Sequence, residues 1–135
     1  NISKEIILLH YTHWSDYNKP SSFESIHNML QTYHKYKKLL KISMNQPILI
    51  HCSAGVGRTG TFIAVITLLE QLNRELLQSI AQATNTQIGD NININVFNIV
   101  LTMRQQRPSM VQSLKQYTFI HNFIKYCMQQ NLLGL

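Results

Sequence analysis

The chain has 135 residues, 44% of them hydrophobic, enough for one modest core and too few for two ordinary domains. Twelve Lys and Arg against six Asp and Glu give a formal net charge of +6, which favours an anionic partner: nucleic acid, membrane phosphate and phosphoprotein all fit. Two widely spaced cysteines, Cys52 and Cys127, exclude a disulfide framework and zinc-ligand spacing and fit a reducing compartment, and no apolar run reaches the length of a membrane span.

Residues 5–11 are rich in β-branched and large apolar side chains and predict a strand. Residues 12–22, with Trp14, Asp16 and Pro20, have the chemistry of a loop. Ser21 or Ser22 can cap a helix running to about residue 41, with Glu24 in its first turn. Phe23, Ile26, Leu30 and Tyr33, followed by Tyr36 and Leu40, recur at helical spacing along it. Lys35, Lys37, Lys38 and Lys41, the densest basic cluster, read as its solvated face. Pro47 precedes Ile48-Leu49-Ile50, and residues 47–51 predict a short buried strand, parallel to its neighbours.

A glycine-rich turn at 52–58 and a helix from Thr61 to about Leu77 follow. Residues 83–94 read as a long loop. Phe97, Val100, Leu101 and Arg104 fall on one face of a further helix, which the Arg107-Pro108 step limits. Ser113 can cap a last helix to about Gln130, with Leu114, Tyr117, Ile120, Phe123, Ile124 and Cys127 facing inward.

The order strand, tight glycine-rich turn, helix decides the chemistry of residues 51–60, His-Cys-Ser-Ala-Gly-Val-Gly-Arg-Thr-Gly. Such a turn can aim the backbone N–H groups of 53–58 inward as a nest for an anion, and the helix start adds its positive end. Arg58 can clamp two phosphate oxygens with one guanidinium. The same field lowers the pKa of Cys52, and a thiolate in a phosphate nest is a nucleophile aimed at phosphorus. Thr59 carries a hydroxyl suited to the sulfur, and His51 can orient the loop through backbone. Gly55, Gly57 and Gly60 permit close approach, and Ala54 is small. A Walker nucleotide loop does not fit, because its Lys is absent. An inactive phosphate-binding loop remains an alternative. Among the few acids, Asp16 is either a turn residue or a proton donor.

At residues 51–60 the chain resembles the signature loop of the protein tyrosine phosphatase superfamily: His-Cys, five residues, Arg, then Ser or Thr, then Gly. The resemblance extends to 12–20, similar to the family's mobile Trp-Pro-Asp acid loop with Ser15 in the Pro place, and to 105–116, similar to its glutamine loop. It implies an α/β (α+β) cysteine-phosphatase fold, a central mixed twisted sheet flanked by helices, of which 1–135 is the C-terminal part. It implies hydrolysis of phosphotyrosine in proteins through a cysteinyl phosphate. Cys52 would be the nucleophile, Arg58 the clamp, Asp16 the general acid and base, and Gln112 the residue that positions water. Ser53, Ala54, Gly55, Val56, Gly57 and Gln116 would line the phosphate site, with Thr59 and His51 supporting Cys52. Arg107 would support the fold.

No metal, cofactor or nucleic-acid partner is implied. A pseudophosphatase or tandem-domain binding module, and a dual-specificity or phosphoinositide phosphatase, are the alternatives. The chain reads as an excised piece, so the N-terminal half of the domain is expected as a partner segment or separate chain, in a cytoplasmic enzyme or the cytoplasmic part of a receptor.

Overall fold

Every described helix but one begins where a short polar side chain can take a backbone N–H that the first turn leaves unpaired. The computed structural model describes residues 3, 6–42, 46–82 and 94–133. Helix α1 spans Phe23–Leu39, and its cap is Ser22, whose Oγ accepts the Ser25 N–H at 3.1 Å. Glu24 sits in its first turn and Lys37 and Lys38 in its last, each complementing the helix dipole. Helix α3, Val96–Gln106, is capped by Asn95 Oδ1, which accepts the Asn98 N–H at 2.9 Å. Helix α4, Leu114–Gln129, opens on a reciprocal capping box between Ser113 and Gln116. The exception is α2, Gly57–Gln82, which starts inside the glycine-rich turn.

The core lies between these helices. Ile26 and Leu30 of α1, Val65, Leu68, Leu69 and Leu72 of α2, Val100 of α3 and Phe119, Ile120, Phe123 and Ile124 of α4 are all buried. Phe119 and Phe123 stack with ring centroids 5.7 Å apart, and Phe23 leans on both. Such aromatic contacts add roughly 0.5–1.5 kcal/mol per pair beyond burial. Lys37 Nζ and Glu70 Oε1, 3.0 Å apart, tie α1 to α2; burial lowers the Lys37 pKa, but Glu70 and Tyr33 together more than offset it and raise it. No described helix is long and apolar enough to cross a membrane.

The expected mixed sheet is corrected by this structure: among the described residues there is no strand. Residues 6–11 and 47–51 are free of helix but form no ladder. Their side chains explain why propensity misled. Ile6, Leu8 and Leu49 are 80%, 76% and 87% exposed, while Tyr11 and Ile50 are partly buried against the helical core, so the apolar character that predicted buried strands is only in part packed here. A strand is a pairwise object, and β propensity describes a fit to neighbours more than a backbone preference.

Two helix faces also differ from expectation. In α3 the buried positions are Val96 and Val100, while Phe97 and Leu101 are exposed. Both sets have helical spacing, and only the position of α2 chooses between them. In α4 Leu114 faces outward, whereas Ile120, Phe123, Ile124 and Cys127 are buried as expected. Helix α2 starts earlier and ends later than the sequence pattern suggested. The loop expected at 83–94 lies, but for Ile94, outside the described residues.

Candidate active site

Gly55 has φ +71°, a left-handed turn that glycine adopts without a Cβ penalty, and it reverses the chain just after Cys52. The reversal aims the Gly55 N–H at Cys52 Sγ, 3.2 Å away. Burial by itself pushes the Cys52 thiol up, but the Thr59 hydroxyl and the N–H groups of Thr59, Gly55 and Val56 favour the thiolate and bring it down to about 7. The Thr59 hydroxyl is buried and has no hydrogen-bond partner, so it acts on the sulfur by its nearness and not through a formed bond. The other cysteine behaves oppositely: burial alone pushes Cys127 up to about 11.

Arg58, in the first turn of α2, joins three segments. Its Nη1 donates to the Trp14 carbonyl at 2.9 Å, and its Nη2 donates to Ser53 Oγ at 2.8 Å and to Asp16 Oδ1. Ser53 Oγ in turn donates to Asp16 Oδ1 at 2.8 Å. The Asp16 carboxylate therefore lies at the mouth of the loop, within reach of the groups that would hold a phosphate. Arg58 Nε is buried and without a partner, a donor suited to an anion's oxygen. An open cleft of about 430 Å³ borders the loop, lined by Ile50, His51, Cys52, Thr59, Arg107 and Met110 among others.

The segment bearing Asp16 is held from several sides. Trp14 is buried against Phe119 and Tyr11, and its Nε1 donates to the Asn18 carbonyl at 2.6 Å. Tyr17 takes φ +58°, and its carbonyl accepts the Ser113 hydroxyl at 2.8 Å. The Tyr11 hydroxyl bonds Ser25 Oγ on α1 at 2.6 Å.

Gln112 and Gln116 arrive from the far end of the chain. Their amides lie against Gly57, where an added Cβ would come within 3.1 Å of Gln112 Oε1 and 3.0 Å of Gln116 Nε2. Gln116 is fully buried, and its amide is taken up by protein. Oε1 accepts the Gln112 and Ser113 N–H groups, and Nε2 donates to the Asn18 carbonyl at 3.3 Å. Gln112 is exposed. The turn before it is strained: Ser109 and the buried, β-branched Val111 have φ of +65° and +61°. Such residues cost of order 1–3 kcal/mol each and need surrounding structure to hold them. Val111 N–H donates to the Val56 carbonyl at 3.0 Å, beside Gly60, which has no room for a Cβ.

The structure thus brings Asp16, Cys52, Ser53, Gly55, Val56, Gly57, Arg58, Thr59, Gln112 and Gln116 to one place. Ala54 also lines the cleft, and its carbonyl accepts from Arg107 Nη2 at 3.2 Å. His51 is exposed at the head of the loop. Sequence reasoning missed Arg104, whose guanidinium bonds the carbonyls of Met110 and Val111. A carbonyl has no signature in a sequence. Among the described residues no group of three or more His, Cys, Asp or Glu is placed to hold a metal ion.

A cysteine sulfur met by a backbone N–H, an arginine and a carboxylate from a neighbouring loop meet at this cleft. The family model for protein-tyrosine phosphatase matches residues 1–126, and the chain belongs to that family. It is similar to a receptor-type tyrosine-protein phosphatase of Caenorhabditis elegans, 38% identical over 121 residues, 90% of this chain and 7% of that protein. It is 36% identical over 115 residues to receptor-type tyrosine-protein phosphatase eta of Gallus gallus, covering 85% of this chain and 7% of that protein. It is 34% identical over 132 residues to human tyrosine-protein phosphatase non-receptor type 12, covering 98% of this chain and 15% of that protein. The chain therefore spans a small part of these relatives' length.

Proposed function

We propose that the protein hydrolyses phosphotyrosine in phosphoproteins through a cysteinyl-phosphate intermediate. The observation that carries the reading is the meeting of Asp16 with Arg58 and Ser53 at the mouth of a loop whose N–H groups favour the Cys52 thiolate. In the first step Cys52 Sγ attacks phosphorus. The S–P bond forms, the bond to the tyrosine oxygen breaks, and Asp16 delivers its proton to that oxygen. Arg58 and the loop N–H groups hold the phosphoryl oxygens as charge shifts among them. In the second step water attacks phosphorus, Gln112 orients it, Asp16 takes its proton, and the S–P bond breaks to return the thiolate with inorganic phosphate. Ser53, Ala54, Gly55, Val56 and Gly57 shape the cradle, Thr59 and His51 support Cys52, and Gln116 acts through the backbone it braces.

Asp16 must leave Arg58 for a phosphate to take its place, so the acid loop moves during turnover. The exposed Ile6, Leu8 and Leu49 support a further proposal, that the remaining half of the catalytic domain covers them as a partner segment or separate chain. A cytoplasmic setting accords with the phosphoprotein substrate and with a reactive free thiol.

The test is hydrolysis of phosphotyrosine and phosphoserine peptides by the full-length protein, with Cys52→Ser and Asp16→Ala. Preference for phosphotyrosine and loss of activity in Cys52→Ser are expected. Equal rates for wild type and Cys52→Ser sink the mechanism. Equal use of both peptides favours a dual-specificity enzyme, and binding without turnover favours a pseudophosphatase.

A further inference from the structure

We infer that Arg104 is a positioning residue for the second step of this reaction, acting through the 109–111 turn to set Gln112; the inference rests on the function proposed above. Arg104 lies in the last turn of α3, outside the cysteine loop and the acid loop. One guanidinium there reaches two successive carbonyls: Nε donates to Met110 O at 2.9 Å and Nη2 to Val111 O at 2.7 Å. Two parallel donors in a fixed plane fix both the position and the rotation of a peptide, which a single ammonium does not.

The peptide so held is one that would not hold itself. Ser109 and Val111 both have positive φ, and for Val111 this is a β-branched side chain in the left-handed region. The turn has three restraints. Val56 O accepts the Val111 N–H, Gly60 admits the 110–111 backbone at close range, and Arg104 closes it from the carbonyl side. Val111 O is the acceptor immediately before Gln112, so the rotation of that peptide sets where the Gln112 chain departs. Gln112 N–H is then fixed on Gln116 Oε1 at 3.0 Å, and its own amide lies over Gly57 at the loop. Relaxing Val111 towards negative φ would swing Gln112 off this path. Arg104 bonds neither Cys52 nor Asp16, so the attack of sulfur on phosphorus does not depend on it.

The experiment is stopped-flow release of the aryl alcohol from an aryl phosphate by the full-length protein, comparing wild type, Arg104→Lys, Arg104→Gln, Gln112→Ala, the Arg104→Lys/Gln112→Ala double variant and Cys52→Ser. Arg104→Lys and Arg104→Gln are expected to keep a burst of one equivalent per site at a rate near wild type. Their steady-state rate falls by up to about 10²-fold, the loss expected from a misplacement near 1 Å. The double variant is expected to be no slower than Gln112→Ala, because both changes disable one unit. An unchanged steady-state rate in both Arg104 variants overturns the inference. So does a burst slowed as much as the steady state, or a double variant with the product of the two losses. Equal aryl release by wild type and Cys52→Ser overturns the underlying function and the Arg104 role with it. The pH midpoint of Cys52 alkylation gives the control for intact folding, and in the Arg104 variants it is expected to stay at the wild-type value.

Discussion

Replacing Gly60 by Ala tests whether the loop and the glutamine turn are as closely joined as they stand here. A Cβ on Gly60 would lie 2.5 Å from Val111 N, 3.2 Å from Met110 C and 3.3 Å from Met110 Cα. All three atoms are backbone, so no flexible side chain can swing away. Restoring ordinary contact moves the 110–111 peptide by about 1 Å. That breaks the Val111 N–H to Val56 O bond, a loss of about 1 kcal/mol. Overpacking adds roughly 1–3 kcal/mol. In an open helix the same change would stabilise by up to ~1 kcal/mol, because Ala is the better helix former. The clash wins, and a net loss of about 1–3 kcal/mol is expected. Turnover should fall by up to about 10²-fold, since Gln112 moves with the turn. Thermal unfolding and aryl phosphate turnover of the full-length protein measure the two effects. A Gly60→Ala protein more stable than wild type, with undiminished turnover, would falsify the close approach and the argument built on it.

Alkylation of Cys52 by iodoacetamide, which consumes the thiolate, should rise with pH to a plateau with its midpoint at about 7, and Thr59→Val should move that midpoint upward. A midpoint in the ordinary thiol range near ~8.5 contradicts the role given to the loop N–H groups. Cys127, pushed up to about 11 by burial, should stay unlabelled in the folded protein at neutral pH. Asp16→Ala should lower phosphotyrosine turnover by about 10²–10⁴-fold while tightening equilibrium binding of phosphate, because the carboxylate no longer occupies Arg58 and Ser53. Weaker phosphate binding would count against that competition. Ser113→Ala removes the α4 cap and the bond to the Tyr17 carbonyl, and an unfolding loss of about 1–2 kcal/mol is expected by thermal denaturation.

The cysteine loop was legible in the sequence because its chemistry is local. Cys52, Gly55, Gly57, Arg58 and Thr59 lie within one turn and the start of one helix, so their spacing alone brings the thiol, the N–H groups and the guanidinium together. The cap Ser113 was legible for the same reason, since a cap bonds an N–H three residues away, whereas the first helix left Ser21 and Ser22 open and the structure chose Ser22. Asp16 and Gln112 came from resemblance. Nothing in their own neighbourhoods distinguishes an acid or an amide at a site from one in a turn.

Tertiary structure decided what depends on distant pairs. Apolar residues at 6–8 and 48–50 carry strand propensity, but a ladder needs a partner, and these extended segments meet none among the described residues. Phe97 and Val100 share the periodicity of α3, and the placement of α2 buried only the second. The contact between Arg58 and Asp16, 42 positions apart, and the grip of Arg104 on the strained Val111 peptide follow from packing. Local spacing determined a cysteine sulfur beside backbone N–H groups and an arginine; only the folded chain brings to it a carboxylate from one direction and a held glutamine from the other.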